Sequence, residues 1–124
     1  MLRLADLLRD LDVEVLAGAE NLEAPVRWVH ISELADPTPW LSGGEFLLTT
    51  GMGLATARDQ RAYVHRLADH GLAGLGVGTG FGMTKVPKAM VDTAAERSFP
   101  LVEIPYDLPF TPPQEALARV PASA

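Results

Sequence analysis

The sequence contains no cysteine, and this absence removes several kinds of chemistry at once. The 124-residue chain can form neither disulfides nor thiolate metal sites, and it has no cysteine nucleophile. Long apolar runs are also missing, since no stretch approaches the roughly 18 residues that a membrane-spanning helix needs. The first ten residues are too charged for the apolar region of a signal peptide. We therefore expect a cytoplasmic domain with no membrane partner.

Positive charge is scarce relative to negative charge. Lysine and arginine together number 10 and aspartate and glutamate 16, so the formal net charge at pH 7 is −6. The basic residues form no stripe, whereas a free-standing nucleic-acid binder normally needs one to displace counterions from phosphates. We therefore expect no direct nucleic-acid binding by this fragment. The hydrophobic fraction of 48% is typical of a globular protein and excludes a disordered tail.

The sequence also lacks the motifs of catalysis and of metal or nucleotide binding. His65 and His70 are not four apart, as two metal ligands on one helix face would be, and no serine lies in a G-x-S-x-G elbow. The glycine-rich run over residues 74–82 satisfies neither G-x-G-x-x-G nor the P-loop pattern. This run is more typical of a tight strand exit, with a small-ligand contact as the alternative. We predict a protein that is not an enzyme and that has no catalytic residues, metal site or cofactor.

The first third of the chain predicts one helix and two strands. Leucines at i, i+3, i+4 and i+7 predict an amphipathic helix over residues 4–11. Apolar alternation then predicts short strands over 13–16 and 26–31, the first of them ended by glycine. Trp28 and Trp40 are interpreted as core residues, because tryptophan is more often part of a core than of a ligand platform.

The rest of the chain alternates between strands and helices. Short apolar runs predict strands over residues 46–50, 72–77 and 101–104. Between them, helices are expected to open at Thr56 and Thr84, and the first carries Tyr63 on its apolar face. Strands joined in this way are parallel with right-handed crossovers. The predicted fold class is a single α/β domain with a mixed sheet of about five strands, a βαβαβ parallel core and flanking helices.

Parallel strands bring their carboxyl ends to one edge of the sheet, where ligands bind in open α/β folds. Here the strands end at Thr49-Thr50-Gly51, at Gly78-Thr79-Gly80 and at Pro105-Tyr106. The two helix N-termini open towards the same edge and offer N–H groups to an anionic or carbonyl-rich ligand. The candidate ligand-binding residues are Thr49, Thr50, Gly51, Gly78 and Gly80.

Two carboxylates are assigned by the same geometry. Glu45 begins the strand that ends in Thr50, so it should lie at the opposite edge and be structural. Glu33 follows the strand that ends at Ile31. It can reach the pocket only if that strand runs parallel to the one ending in Thr50.

Several blocks of this sequence resemble the N-terminal domain of the purine catabolism regulator (PucR) family of bacterial transcription regulators. The most specific block is Gly43-Gly44-Glu45-Phe46-Leu47-Leu48-Thr49-Thr50-Gly51, in register with Pro25-Val26-Arg27-Trp28-Val29-His30 and Pro100-Leu101-Val102-Glu103-Ile104-Pro105. The resemblance covers residues 2 to about 110 and brings no catalytic residues with it. It implies a sensory domain over 1–110, followed over 111–124 by a hinge and the start of a helix that leads to an absent C-terminal part.

The resemblance implies a metabolite-sensing regulatory domain, while a separate helix-turn-helix segment binds DNA, and the family name suggests purine catabolism as the regulated pathway. The expected partners are a small-molecule metabolite, the remaining domains of the same regulator and a second copy in a homodimer. The alternative is a structural dimerisation or docking module with no ligand of its own. A third reading, a small enzyme, is disfavoured because the sequence shows no base–nucleophile pair.

Overall fold

A computed structural model describes residues 2–11, 13–80 and 83–105 of the chain, and all structural statements concern these residues. They form three α-helices and five strands, joined in part by two short 3-10 turns. In chain order the helices and strands are α1 (Leu4–Leu8), β1 (Glu14–Ala17), β2 (Trp28–Ile31), β3 (Glu45–Thr49), α2 (Ala57–Asp69), β4 (Gly74–Gly78), α3 (Lys88–Glu96) and β5 (Leu101–Ile104).

The five strands form one mixed sheet in the order β1-β5-β4-β3-β2. Strands β2, β3, β4 and β5 are parallel, and only β1 runs antiparallel, against β5. The predicted fold class, with its βαβαβ core, is therefore confirmed. Because the four parallel strands end at the same edge, that edge carries residues 31–33, 49–51, 78–80 and 104–105, which we call the carboxyl rim.

Apolar side chains cover both faces of the sheet, because each strand alternates between them. On one face α2 and α3 pack against Leu47, Leu75 and Leu101. On the other face α1 packs with Phe46, Leu48, Val102 and Ile104. Gly76 lies between these last side chains, where a Cβ atom would come within 2.8 Å of Leu48 Cδ2 and 3.0 Å of Ile104 Cδ1. The glycines of β4 thus allow neighbouring side chains to cross the central strand.

The start of α3 differs from the sequence prediction. The helix begins at Lys88 with Pro87 as its N-cap residue, so the prediction that Thr84 opens it is wrong. Val86 precedes a proline, and such a residue is pushed away from helical backbone angles, which prevents a helix from crossing it. For α2 the prediction holds, because the Thr56 hydroxyl accepts a hydrogen bond of 3.1 Å from the Asp59 amide.

The placement of the tryptophans was also mispredicted. Trp40 is 68% exposed and ends a 3-10 turn (Thr38–Trp40) that lies outside the sheet. Trp28 is half-buried at the start of β2, which is an edge strand. Neither residue is part of the core, because the core is filled by aliphatic side chains with Phe46, Tyr63 and Phe99.

Two sequence predictions concern residues outside this description. They are the hinge and helix over 111–124 and the position of Tyr106 at the end of the last strand. Among the described residues, no helix is both long and apolar enough to cross a membrane.

Candidate ligand site at the carboxyl rim

Glu33 lies at the carboxyl rim because β2 runs parallel to β3, with Ile31 opposite Leu48. This is the condition under which the sequence allowed Glu33 to reach the pocket. The Glu33 Oε1 atom accepts hydrogen bonds from the hydroxyls of Thr49 and Thr50, each at 2.9 Å. Its Oε2 atom accepts one from the Thr50 amide, also at 2.9 Å. One carboxylate therefore ties the end of β2 to the end of β3.

The strand-end amides are already paired within the protein. The Thr50 amide donates to Glu33, and the Gly51 amide donates to the Thr49 hydroxyl at 3.1 Å. At the next strand, the Thr79 amide donates to the Ile104 carbonyl at 3.0 Å and the Gly80 amide to the Met83 carbonyl at 2.6 Å. An incoming anion would have to displace these protein acceptors before it could use the same donors.

Two pockets open at the rim, and they divide the candidate residues between them. The first, of about 330 Å³, is lined by Ile31, Glu33, Leu48, Thr49 and Thr50, and we call it the rim pocket. A second, of about 470 Å³, has the following lining residues: Gly51, Met52, Leu54, Ala55, Gln60, Met83 and Pro87. Gly78 and Gly80 line neither pocket. The structure thus places Thr49 and Thr50 together with Glu33, with Gly51 on the adjoining side.

A second carboxylate lies further along the rim. Glu103 is next to last in β5, and its Oε2 atom accepts a hydrogen bond of 2.9 Å from the Thr79 hydroxyl. The threonine hydroxyls on both strand ends therefore point their protons at carboxylates. As a result, the rim is a surface of acceptors and negative charge.

Tyr63 of α2 lies beneath the rim and was interpreted from sequence only as an apolar-face residue. It is 1% exposed, and its hydroxyl has no hydrogen-bond partner within the described residues. Burial raises the pKa of the Tyr63 phenol well above its ordinary value; the Thr49 hydroxyl opposes this shift and the Glu33 carboxylate adds to it. Thr49 is thus near enough to act on the phenol without reaching hydrogen-bonding geometry. Tyr63 therefore stays protonated at neutral pH, and its proton has no acceptor in the described ranges.

Glu45 has the structural role that its position predicted. It begins β3 at the edge opposite the rim and is only 2% exposed. Its carboxylate accepts hydrogen bonds of 2.7 Å from the amides of Ser42 and Gly43. The Gly-Gly-Glu part of the most recognisable sequence block is therefore a turn closed by its own carboxylate. Elsewhere in the described ranges, no three histidine, aspartate or glutamate side chains are grouped as metal ligands would be.

The fold itself has a solved counterpart. The chain matches a structure of the CBS and DRTGG domains of the regulatory region of Clostridium perfringens pyrophosphatase, with a TM-score of 0.63 and 18% identity. The match covers 96% of this chain and 47% of that one. At this identity the likeness establishes the fold alone, which is an α/β domain.

The family is established by sequence. The pattern of the Purine catabolism regulatory protein-like family (PucR) matches residues 1–118. The match covers nearly all of the chain, and the chain therefore belongs to this family. The resemblance found in the sequence blocks is confirmed.

Two relatives show what kind of protein carries such a domain. The chain is 32% identical over 117 residues to the transcriptional activator PmfR of Paenarthrobacter nicotinovorans, covering 94% of this chain and 24% of that protein. It is 28% identical over 95 residues to the purine catabolism regulatory protein of Bacillus subtilis (strain 168), covering 76% and 18%. The chain thus spans about a quarter or less of the length of these transcription regulators, and it corresponds to one part of them.

Proposed function

We propose that this domain is the metabolite-sensing part of a bacterial transcription regulator and that its ligand binds in the rim pocket. The observation that carries the proposal is the buried Tyr63 hydroxyl, which lies beside Thr49 and Glu33 and has no hydrogen-bond partner among the described residues. An unpaired buried polar group costs about 1–3 kcal/mol, so its retention needs an explanation. A ligand that binds Glu33 would release the Thr49 hydroxyl from that carboxylate, and Thr49 could then become the missing hydrogen-bond partner of Tyr63.

The position of the pocket supports this function. Open parallel sheets bind ligands outside the carboxyl ends of their strands, and the rim pocket lies at such an edge. The proposed site keeps Thr49 and Thr50, which line the rim pocket, and adds Glu33. Gly51, Gly78 and Gly80 lie along the same rim outside this pocket, so they would contact only a ligand that extends beyond it. Tyr63 lies beneath Thr49 and would respond to the ligand through that residue.

A protein of similar fold and one relative support the proposal that a small molecule regulates this domain. The solved regulatory region of the pyrophosphatase was complexed with an activator, diadenosine tetraphosphate. One relative is named for purine catabolism, which makes purine breakdown products the first ligands to test. In this proposal the protein is cytoplasmic, residues 1–110 form the sensory domain, residues 111–124 lead to the rest of the regulator, and DNA is bound elsewhere in that protein.

A second candidate function is a docking or dimerisation module. The observation that favours it is a group of exposed apolar side chains at and after β2: Ile31 is 68% exposed, Leu34 51% and Trp40 68%. The outer edge of β2 has no neighbouring strand within the described sheet, and unpaired edges are templates for another chain. The occupant would be a second copy of this domain.

A thermal-shift screen separates the two functions. Purines, their ring-opened products and other small metabolites are added, because a ligand that binds only the native state raises its melting temperature. For a hit, Thr50→Val should weaken binding by about 1 kcal/mol, since it removes one pocket hydroxyl. Thr38→Val is the matched control, because the Thr38 hydroxyl also donates to a carboxylate, Asp36, but does not line the pocket. A dimeric mass with no hit in the screen would favour docking instead.

A further inference from the structure

The rim pocket offers a ligand hydrogen-bond acceptors but few hydrogen-bond donors. A carboxylate has about four lone-pair positions. Glu33 Oε1 accepts both threonine hydroxyls and also the Thr50 amide at 3.1 Å, whereas Oε2 accepts only that amide, at 2.9 Å. Within the described residues, one position on Oε2 therefore stays open, and the Glu33 side chain is exposed enough to be reached.

The two threonine hydroxyls have no proton left to donate to a ligand. Each has a single proton, and because Glu33 can only accept, both protons point at its carboxylate. The Thr50 hydroxyl can then only accept from a ligand, and its Oγ1 atom lies 2.9 Å from Glu33 Oε1. The mouth of the pocket thus presents two neighbouring acceptors, one of them anionic.

The walls of the pocket are apolar. Ile31 and Leu48 are paired in register on adjacent strands, so their side chains are on the same face of the sheet. Ile31 is 68% exposed, which leaves an apolar surface next to the acceptors. The net charge of −6 adds a weak attraction for cations over a longer range.

We infer that the rim pocket selects a ligand with two adjacent N–H donors on a flat apolar body, such as an amidine, guanidine or cyclic urea, and rejects carboxylates and phosphates. This inference rests on the proposed function and gives it a ligand class. One N–H group would donate to the open position on Glu33 Oε2 and the neighbouring N–H group to the Thr50 hydroxyl oxygen, and the bond to the carboxylate is stronger than a neutral hydrogen bond when the donor is cationic. An anionic group would meet the Glu33 charge, and the side-chain donors among the described lining residues, the Thr49 and Thr50 hydroxyls, already donate to Glu33.

Benzamidine and benzoate provide a direct test. Both have a benzene ring with one planar group attached, but the amidinium group is a cation that donates hydrogen bonds and the carboxylate group is an anion that accepts them. Each is titrated into the isotopically labelled 124-residue chain, and the backbone amide signals are followed by NMR. We expect benzamidine to shift the signals of Ile31, Thr50 and Gly51 saturably, while benzoate and inorganic phosphate leave them unchanged.

Variants identify the group responsible. Glu33→Gln should weaken benzamidine binding about tenfold, as expected for loss of a charge-assisted hydrogen bond. Thr50→Val should weaken benzamidine binding less than Glu33→Gln does, and it replaces Glu33→Gln as the test variant if that protein is too unstable to titrate. Glu23→Gln is the matched control, because Glu23 is an exposed carboxylate that pairs with Arg3 and does not line the pocket.

The outcomes distinguish this inference from the proposed function. Saturable binding of benzoate or phosphate at the same amides would overturn the ligand class and leave the ligand site in place. Benzamidine binding that Glu33→Gln and Thr50→Val leave unchanged would also overturn it. If neither probe binds, the ligand class is wrong, and the metabolite screen alone decides whether the domain is a sensor.

Discussion

The Glu33 carboxylate and the Thr50 amide lie 2.9 Å apart, although 17 residues separate them in the sequence. The bond joins the chain just beyond the edge strand β2 to the end of β3. Because the Thr50 hydroxyl meets the same carboxylate, Glu33 holds one residue by both its backbone and its side chain. The same atoms that would contact a ligand therefore also stabilise the edge of the sheet.

Glu33→Gln should consequently lower the free energy of unfolding by about 1 kcal/mol. The amide side chain turns one acceptor into a donor that faces the donors of Thr49 and Thr50, but exposure to water limits the cost. Urea unfolding measures the change, and Glu23→Gln is the control, with an expected loss near zero for an exposed ion pair. Equal effects of the two substitutions would show that the Glu33 contacts do not stabilise the sheet edge.

The sequence was sufficient to predict the sheet and the rim but not the contacts made there. The strand–helix alternation from residue 45 onward predicts parallel strands, and these bring Thr49, Thr50 and Gly51 to one edge. The bonds of Glu33 depend on the direction of β2, which the sequence left open because residues 32–44 contain no crossover helix. The unpaired Tyr63 hydroxyl is also a tertiary property, since an apolar helix face does not reveal what lies above it.

Gly18 and Gly71 provide a matched test of close packing. Both have left-handed backbone angles, with φ of +74° and +76°, but a Cβ atom on Gly18 would lie 2.3 Å from the backbone of Phe99 and Pro100, whereas nothing lies within 4 Å at Gly71. Gly71→Ala should cost about 1 kcal/mol for the backbone angle alone. Gly18→Ala should cost about 4 kcal/mol or more, because the clash involves backbone that cannot rotate away. Similar melting temperatures for the two variants would contradict this packing.

Glu45→Gln should be among the most destabilising changes of a single functional group. The buried carboxylate accepts two backbone amides at 2.7 Å, and glutamine can satisfy only one of them while directing its NH₂ at the other. We expect a loss of about 2–3 kcal/mol in urea unfolding. Ligand affinity should not change, since Glu45 lies at the edge opposite the rim. Loss of ligand binding by a variant that remains folded would show that its role is not only structural.

Tyr63→Phe should have the opposite effect on stability. It removes a buried hydroxyl for which the described part of the chain supplies no partner, so the variant should be equally stable or more stable by about 1 kcal/mol at neutral pH. If ligand binding gives this hydroxyl a partner in Thr49, the same variant should bind the ligand more weakly. Greater stability combined with weaker binding is the signature of a group retained for function. A marked loss of stability would show that the hydroxyl is bonded in solution.

The raised pKa of Tyr63 makes the stability of the domain depend on pH in a defined direction. Burial keeps the native phenol protonated, whereas in the unfolded chain it ionises near pH 10. Above that pH the native state binds more protons than the unfolded state, so the free energy of unfolding falls, by up to about 1.4 kcal/mol per pH unit from this group. Below pH 10 the group has no effect. Tyr63→Phe should remove this part of the loss of stability at alkaline pH, which urea unfolding at a series of pH values measures.

An ultraviolet titration follows the ionisation of the phenol directly. The difference in phenolate absorbance between the wild type and Tyr63→Phe should show that Tyr63 ionises only when the protein unfolds. Ionisation near pH 10 in the folded protein would mean that water reaches the hydroxyl, and the unpaired donor beneath the rim would no longer support a ligand site.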